Sequence, residues 1–410
     1  MTEAQRETPA TVSLADVLAA RELLGDVCRV TPVQGSRVLA GKCAGEVVLK
    51  CENLQRAGSF KIRGAYVRIA RLSAAERARG VVAASAGNHA QGVALAASLL
   101  GTTSTVFMPN GAPLPKVAAT ENYGATVRFA GHDVAAAIEA AIEFANETGA
   151  VLIHPFDHPD VVAGQGTVAL EILEQYPQVR TIVVPTGGGG LLAGIAVVVA
   201  ALRPDVKVVG VQAAGAAAYP GSIAAGHPVT LAGTATMADG IAVACPGDVP
   251  FGLIRDLVGD VRTVSEEHLS RALLLCLERA KLVVEPAGAA AVAALLDDPQ
   301  AFEPPVVAVL SGGNVDPLLL LRVLRHGLSA AGRYVAFRLR VTDRPGALAA
   351  LLRELAEADA NVLEVEHLRT NPRLHVDEVE VYVQIETRGG KHTDAVLARL
   401  RAAGYSLAFG

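Results

Sequence analysis

Along this chain, short apolar runs alternate with longer segments whose apolar residues recur every three or four places. Residues 14–25 carry the helical pattern, and Thr31-Pro32 opens an extended stretch. Val81–Ala84 then predicts a strand and Gln91–Leu100 a helix. Ser104–Met108 and Thr126–Phe129 predict two more strands, followed by helices over Lys116–Tyr123 and Val134–Glu147. Gly101, Gly124 and Gly149 close these three helices, each able to take the left-handed cap conformation. The strand Thr181–Val184 leads into Gly187–Gly190 and then a helix. Its run from Leu191 to Leu202 is apolar on all sides, the mark of a buried helix, and is well short of the ~20 residues that span a bilayer. Val206–Val211 and Val306–Leu310 are further apolar strands. This βαβα rhythm predicts an α/β fold with open, mostly parallel sheets, in which ligands sit beyond the carboxyl ends of the strands.

The rhythm changes near Ala330. Strand (Tyr334–Val341), helix (Gly346–Ala358), two strands (Asn361–Leu368 and Val376–Glu386), helix (Thr393–Ala402) and a short strand (Tyr405–Phe409) follow. That βαββαβ order predicts a ferredoxin-like unit. The expected division is therefore residues 1–330 and residues 331–410.

A length of 410 residues fits two or three domains, and 51% apolar residues suffice for a large core. With no Trp and 4% aromatics, Ala, Val and Leu must do most of the packing, which suits parallel strands covered by helices. The net charge of −5 and the absence of a basic block argue against nucleic acid and anionic membrane as partners. Five scattered cysteines (Cys28, Cys43, Cys51, Cys245 and Cys276) form no CxxC and read as reduced thiols. The opening MTEAQRETPATVSLADVL has no apolar signal core, so the expectation is a cytoplasmic protein.

Three glycine-bearing loops follow predicted strands: Ser85-Ala86-Gly87-Asn88-His89, Gly187-Gly188-Gly189-Gly190 and Ser311-Gly312-Gly313-Asn314. One such loop says little, because a tight strand-to-helix turn often needs glycine. Three together suggest a ligand approached closely by backbone. Four bare glycines before a helix can surround a phosphate with N–H groups, aided by the helix dipole. A dinucleotide enzyme competes, since Gly188-x-Gly190-x-x-Ala193 fits a relaxed Rossmann pattern. The acidic ribose ligand expected about 20 residues on is replaced by Gln212, so a phosphate without a nucleotide is the better reading. Lys61, between Phe60 and Ile62, lies in a segment without charge alternation. A buried lysine has a lowered pKa and can form a Schiff base. The histidines of His154-Pro155-Phe156-Asp157-His158-Pro159 read as loop residues, and no metal constellation stands out.

Taken together, Glu52-Asn53-Leu54-Gln55-x-x-Gly58-Ser59-Phe60-Lys61-x-Arg63-Gly64-Ala65 resembles the lysine motif of threonine dehydratases (threonine ammonia-lyases). Ser85–Gly92 resembles their asparagine loop. His154–Asp157, Ala163–Thr167, Gly187–Leu191, Glu285-Pro286 and Ser311–Asn314 follow in the family's order. The resemblance covers roughly residues 15–325, and the remainder resembles an ACT domain, a small amino-acid-sensing module.

The resemblance implies a fold-type II (tryptophan-synthase-β-like) catalytic unit, with a smaller subdomain at about residues 50–155 inserted in a larger one. It implies pyridoxal 5'-phosphate bound as a Schiff base to Lys61, which would also act as the base. Phe60 would pack on the ring, Asn88 bond its phenolic oxygen, and Ser311 meet the pyridine nitrogen. The N–H groups of Gly187, Gly188, Gly189, Gly190 and Leu191 would hold the phosphate, and Gly240 would let backbone approach. Ser85, Gly87, Asn88 and His89 would receive the carboxylate of the amino-acid substrate. The implied reaction removes water and then ammonia from L-threonine or L-serine. Two positions depart from relatives: Ala86 stands where serine racemases have a second serine, and Gln212 where some relatives have an acidic cation ligand. In the C-terminal unit, Asp343-Arg344-Pro345-Gly346 resembles the ligand turn of ACT domains. The expected effector residues are Asp343, Gly346 and Asn361, the last placed close by, with isoleucine or valine as the leading effector. ACT domains pair sheet to sheet, so the resemblance implies a homo-oligomer, a dimer or tetramer. Two rivals from other classes are a nicotinamide oxidoreductase and a non-catalytic amino-acid sensor.

Overall fold

The alternating pattern does build parallel sheets in the computed structural model of the chain, which describes residues 11–369 and 374–409. The first ten residues, on which much of the signal-core expectation rests, lie outside that range. One sheet has six strands in the order Val33–Gly35, Val47–Lys50, Val306–Val309, Thr181–Pro185, Lys207–Ala213, Asp260–Val264. Every neighbouring pair is parallel except the first. Its central strands are buried from end to end, which is why they read as unbroken Val and Ile runs. A second, fully parallel sheet has four strands in the order Thr126–Phe129, Ser104–Met108, Val81–Ala84, Val151–Leu152. It is built from chain that leaves the six-stranded sheet after Lys50 and rejoins it at Thr181.

Three helices, Lys61–Ala70, Pro159–Gln175 and Gly190–Leu202, pack closely because glycines sit where they touch. A Cβ on Gly164 would lie 2.6 Å from the Cα of Gly64, and one on Gly194 would lie 2.4 Å from the carbonyl oxygen of Val162. The run Leu191–Leu202 forms the buried helix expected of it. The glycine caps also hold: Gly101, Gly124 and Gly149 all have positive φ, at 65°, 94° and 73°.

The chain divides into two compact units after Pro317, so helix Pro317–Ala330 groups with the second. There, an antiparallel sheet has the order Asn361–Leu368, Glu378–Glu386, Tyr334–Thr342, Leu407–Ala408. With helices Ala347–Glu357 and Gly390–Ala402 it makes the expected βαββαβ unit, whose core includes Phe337, Leu351, Leu355, Val381, Val383 and Leu400. The strand predicted from Val376 starts at Glu378, and Val376 itself is fully exposed. No helix among the described residues is long and apolar enough to cross a membrane.

Candidate active site

The loops that follow the strands come together around Lys61. Residues 56–58 make a short turn in which Ala57 and Gly58 both have positive φ, 56° and 70°. This turn brings Ser59 alongside Gly312 in an antiparallel bridge. The N–H of Phe60 donates to the Ser311 carbonyl (3.2 Å), and that of Gly313 donates to the Gly58 carbonyl (2.9 Å). Lys61 then opens the helix Lys61–Ala70. Its Nζ donates to the carbonyl of Pro155 at 2.9 Å and stands 5.2 Å from the centroid of Phe60. Burial pushes the amine down to about 8, against the opposing pull of the Glu285 carboxylate. Such an amine is partly unprotonated near neutral pH and can act as a nucleophile or base.

The asparagine loop ends strand Val81–Ala84. The helix after it begins at Asn88, earlier than the periodicity from Gln91 suggests, so Asn88 and His89 occupy its first turn. Their backbone N–H groups lie in the first turn, where a helix offers them no internal partner. The ring of His89 is turned away: its Nε2 meets the Ile153 carbonyl at 2.7 Å. Burial and Lys61 press that imidazole down to about 3, so it is neutral and its Nε2–H donates. Ser85 Oγ accepts from the N–H of Gly87 at 3.1 Å.

The tetraglycine loop leads from strand Thr181–Pro185 into helix Gly190–Leu202, with Gly189 at φ 100°. A Cβ on Gly188 would fall 2.4 Å from the ring of Phe156, and one on Gly189 would lie 1.9 Å from the hydroxyl of Tyr219. Only glycine fits. The Gly188 carbonyl accepts from the Tyr219 hydroxyl (3.2 Å) and from the N–H of Gly247 (3.2 Å). Gly240 lies in the turn Asp239–Ile241, where a Cβ would meet that of Ala287 at 2.9 Å and Glu285 Oε1 at 3.7 Å. Leu191 and Ser311 are buried. One further residue joins the group. Glu285, whose motif the sequence offered without a role, accepts from Asn88 Nδ2 at 2.5 Å. Arg63 is fully buried and anchors the start of the lysine helix to Glu52 and Glu171.

The loop histidines serve as turn acceptors. His154 Nδ1 takes the N–H of Asp157 at 2.8 Å, and His158 Nδ1 caps the helix Pro159–Gln175 through the N–H of Asp160 at 3.1 Å. Among the described residues, no group of three or more His, Cys, Asp and Glu is arranged to hold a metal. Gln212 Oε1 accepts from the N–H of Tyr219 at 2.9 Å, fixing the start of the helix Ala218–Ala225.

A partly unprotonated lysine beside a bare glycine cradle is the donor set a phosphorylated aldehyde needs. Residues 25–312 match the family model described as pyridoxal-phosphate dependent enzyme, and residues 335–404 match the ACT domain. The chain belongs to the pyridoxal-phosphate dependent enzymes. It is 45% identical to the L-threonine ammonia-lyase of Thermotoga maritima, over 97% of this chain and 99% of that protein. It is 42% identical to the catabolic L-threonine dehydratase of Escherichia coli K12, over 74% of this chain and 94% of that one. Among solved structures, the threonine deaminase isoform 2 of Solanum lycopersicum, in its processed form, is 32% identical with a TM-score of 0.73, covering 80% of this chain and 98% of that one. Maize serine racemase is 35% identical with a TM-score of 0.73, covering 78% and 99%. These likenesses bear out the fold-type II reading and the cofactor.

In this pyridoxal-phosphate enzyme the C-terminal unit has a small cleft lined by residues 341–348, His367 and Arg369. Asp343 is there, its Oδ1 accepting from Arg369 Nη2 at 3.0 Å, and Gly346, at φ 89°, caps the helix Ala347–Glu357. Asn361 is not with them, which corrects the expectation that it lies close by. The intervening helix runs back along the strand, so Asn361 pairs with Glu386 opposite Tyr334, at the other end of the sheet. Its Nδ2 donates to Glu386 Oε2 at 3.3 Å.

Proposed function

We propose that this chain deaminates L-threonine by β-elimination to 2-oxobutanoate and ammonia, and L-serine to pyruvate as a second reaction. The observation that carries this reading is the half-buried Lys61 amine, its Nζ on the Pro155 carbonyl at 2.9 Å in the loop whose Phe156 packs against the glycine cradle. Pyridoxal 5'-phosphate supplies an electron-accepting ring conjugated to the substrate nitrogen. Lys61 would hold the cofactor through Nζ, and the same amine, partly unprotonated near neutral pH, would take the substrate's α-proton. The N–H groups of Gly187, Gly188, Gly189, Gly190 and Leu191 would receive the phosphate, with the positive end of helix Gly190–Leu202 behind them. Phe60 would pack on the ring, Asn88 would donate to its phenolic oxygen and Ser311 would meet the pyridine nitrogen. A neutral hydroxyl at Ser311 would hold a proton on that nitrogen less firmly than a carboxylate would. Ser85, Gly87, Asn88 and His89 seat the substrate carboxylate at the start of helix Asn88–Leu99, His89 through its backbone N–H. Gly240 leaves room beside Glu285 and the cofactor.

The catalytic part comprises residues 1–330, with a smaller subdomain at about 50–155, and residues 331–410 are regulatory. The matched segments, 25–312 and 335–404, support that division. Asp343 and Gly346 bind an amino-acid effector, with isoleucine or valine the leading candidates. The enzyme assembles as a homodimer or homotetramer through paired ACT sheets, whose edge strand Asn361–Leu368 is largely exposed.

The test is Lys61→Ala. Wild-type protein should release keto acid steadily from L-threonine and, after borohydride, retain cofactor on Lys61. The variant should do neither. Near-normal turnover by Lys61→Ala refutes the mechanism, and absence of turnover in the wild type returns the chain to the sensor reading.

A further inference from the structure

Asn88 is oriented from both ends. Its Nδ2 donates to Glu285 Oε1 at 2.5 Å, and its Oδ1 accepts from Asn314 Nδ2 at 2.8 Å. Asn314 Nδ2 also donates to the Ala57 carbonyl at 2.7 Å, so that nitrogen is committed to acceptors. Flipping the Asn88 amide would set nitrogen against nitrogen on one side and oxygen against a carboxylate on the other. A carboxamide nitrogen carries two hydrogens, and Glu285 uses one. The second is left to aim at a ligand.

The surroundings are built to admit this carboxylate. Glu285 is 3% exposed. Its N–H donates to the Gly312 carbonyl at 3.1 Å, which clamps its segment to the loop after strand Val306–Val309. A Cβ on Gly312 would stand 2.2 Å from Glu285 Oε1 and 3.0 Å from Asn88 Nδ2, so even alanine there would break the pair. Gly240 leaves space on another side, with Oε1 3.7 Å from where its Cβ would be.

We infer that Glu285 is a positioning residue: it fixes the Asn88 carboxamide so that the second N–H points at the cofactor's phenolic oxygen. This rests on the cofactor reading given above. Burial and Asp239 push the Glu285 carboxyl up to about 7, while Asn88, Lys116 and Lys61 pull it back. Lys116 is already engaged by Asp239 at 2.5 Å. Glu285 therefore takes up its proton as pH falls through the neutral range, and the bond to Asn88 loses its charge assistance there. The hold on Asn88 is tighter on the alkaline side.

The experiment is a double-mutant cycle on the holoenzyme, read as cofactor dissociation and as the visible absorbance of the bound cofactor across pH. Glu285→Ala and Asn88→Ala should each weaken retention about tenfold or more, as loss of a charge-assisted hydrogen bond does. The double variant should be no worse than Asn88→Ala, because Glu285 acts through Asn88. Glu285→Gln keeps the shape and an acceptor oxygen. It should recover most of the retention at acid pH and lack the alkaline gain of the wild type. Additive losses in the double variant overturn the inference, and so does a Glu285→Gln enzyme with the wild-type pH dependence. If borohydride leaves no cofactor on Lys61 in the wild type, the cofactor reading itself has failed. That outcome is distinct from an additive cycle measured on cofactor correctly attached.

Discussion

At the residue scale, the lysine motif owes its rigidity to a neighbour that does no chemistry. Arg63 is 1% exposed and meets Glu52 through Nε and Nη2, both at 2.8 Å, and Glu171 through Nη1 at 2.6 Å. Lys50 Nζ completes the cluster on Glu171 at 2.5 Å, Gln175 at 2.8 Å and the Thr31 carbonyl at 2.8 Å. Two cations and two carboxylates thus neutralise one another out of water. Arg63→Met would leave the carboxylates in excess, and breaking a buried pair from one side costs about 3–5 kcal/mol. Burial works against ionisation of Glu52, but Arg63 and Lys50 together hold its carboxyl below the usual 4.5. A lowered folded pKa gives stability that is present above 4.5 and lost as pH falls further. The Arg63→Met deficit, measured by denaturant unfolding, should therefore be full near neutrality and shrink in acid. A variant within ~0.5 kcal/mol of wild type at neutral pH, the range of an ordinary surface change, would show that the cluster is dispensable. Ala86 bears on outcome rather than stability. Inverting the α-carbon needs a proton donor on the face opposite Lys61, and a methyl group offers none. Incubation with L-serine should give pyruvate in large excess over D-serine. A D-serine yield rivalling pyruvate would mean that another residue or a held water supplies the proton.

At the element scale, the cradle is set by elements far apart in the chain. A trans peptide is planar, so the Gly188 carbonyl and the Gly189 N–H point in opposite directions. The Tyr219 hydroxyl and the Gly247 N–H hold that carbonyl, which turns the Gly189 N–H the other way. Tyr219→Phe should raise the cofactor dissociation constant about tenfold, the loss of roughly one buried hydrogen bond, with turnover at saturating cofactor little changed. Gly188→Ala should abolish binding, because its Cβ collides with Phe156. Retention of cofactor by Gly188→Ala at wild-type strength would refute the cradle. None of this linkage is legible in the sequence. What is legible are the elements with self-contained signals. Val81–Ala84, Ser104–Met108, Thr126–Phe129 and Asn361–Leu368 fall where expected, the first three as short strand runs bounded by turns. Strands Val33–Gly35 and Val151–Leu152 are too short to give a pattern, and Asp260–Val264 is a half-exposed edge. The helix at Asn88 is read late because its first turn is polar, and that turn is the one facing the site. Lys61 could be picked out from its apolar neighbours, whereas its partner Pro155 and the pairing of Asn88 with Glu285, 197 residues away, exist only in the fold.

At the scale of the whole molecule, the two sites proposed above fall in different compact units, the cluster around Lys61 before Pro317 and the cleft at Asp343 after it. The cleft suits a free amino acid. The N-terminus of helix Ala347–Glu357 and the side chains of Arg344 and Arg369 offer positive charge to a carboxylate, and Asp343 offers a partner for the ammonium group. Asp343 now holds Arg369, so an incoming ammonium would have to displace that pair or share it. Regulation requires the effector to bind one functional state more tightly than another, and such couplings are typically about 1–3 kcal/mol, or roughly 5- to 150-fold in affinity. Isoleucine and valine are the candidates to titrate into the full chain, with threonine turnover and melting temperature as readouts. The expected result is that one of them shifts both, and that Asp343→Ala abolishes the shift while leaving turnover without effector unchanged. Asn361→Ala should leave the response within a single chain's cleft intact, because Asn361 sits at the far end of its strand beside Glu386. By linkage, threonine must alter the effector's affinity by the same factor, which equilibrium binding with a non-reacting substrate analogue can check. If neither these nor other amino acids change activity or melting temperature, residues 331–410 act in assembly. Their removal should then alter the oligomeric mass instead.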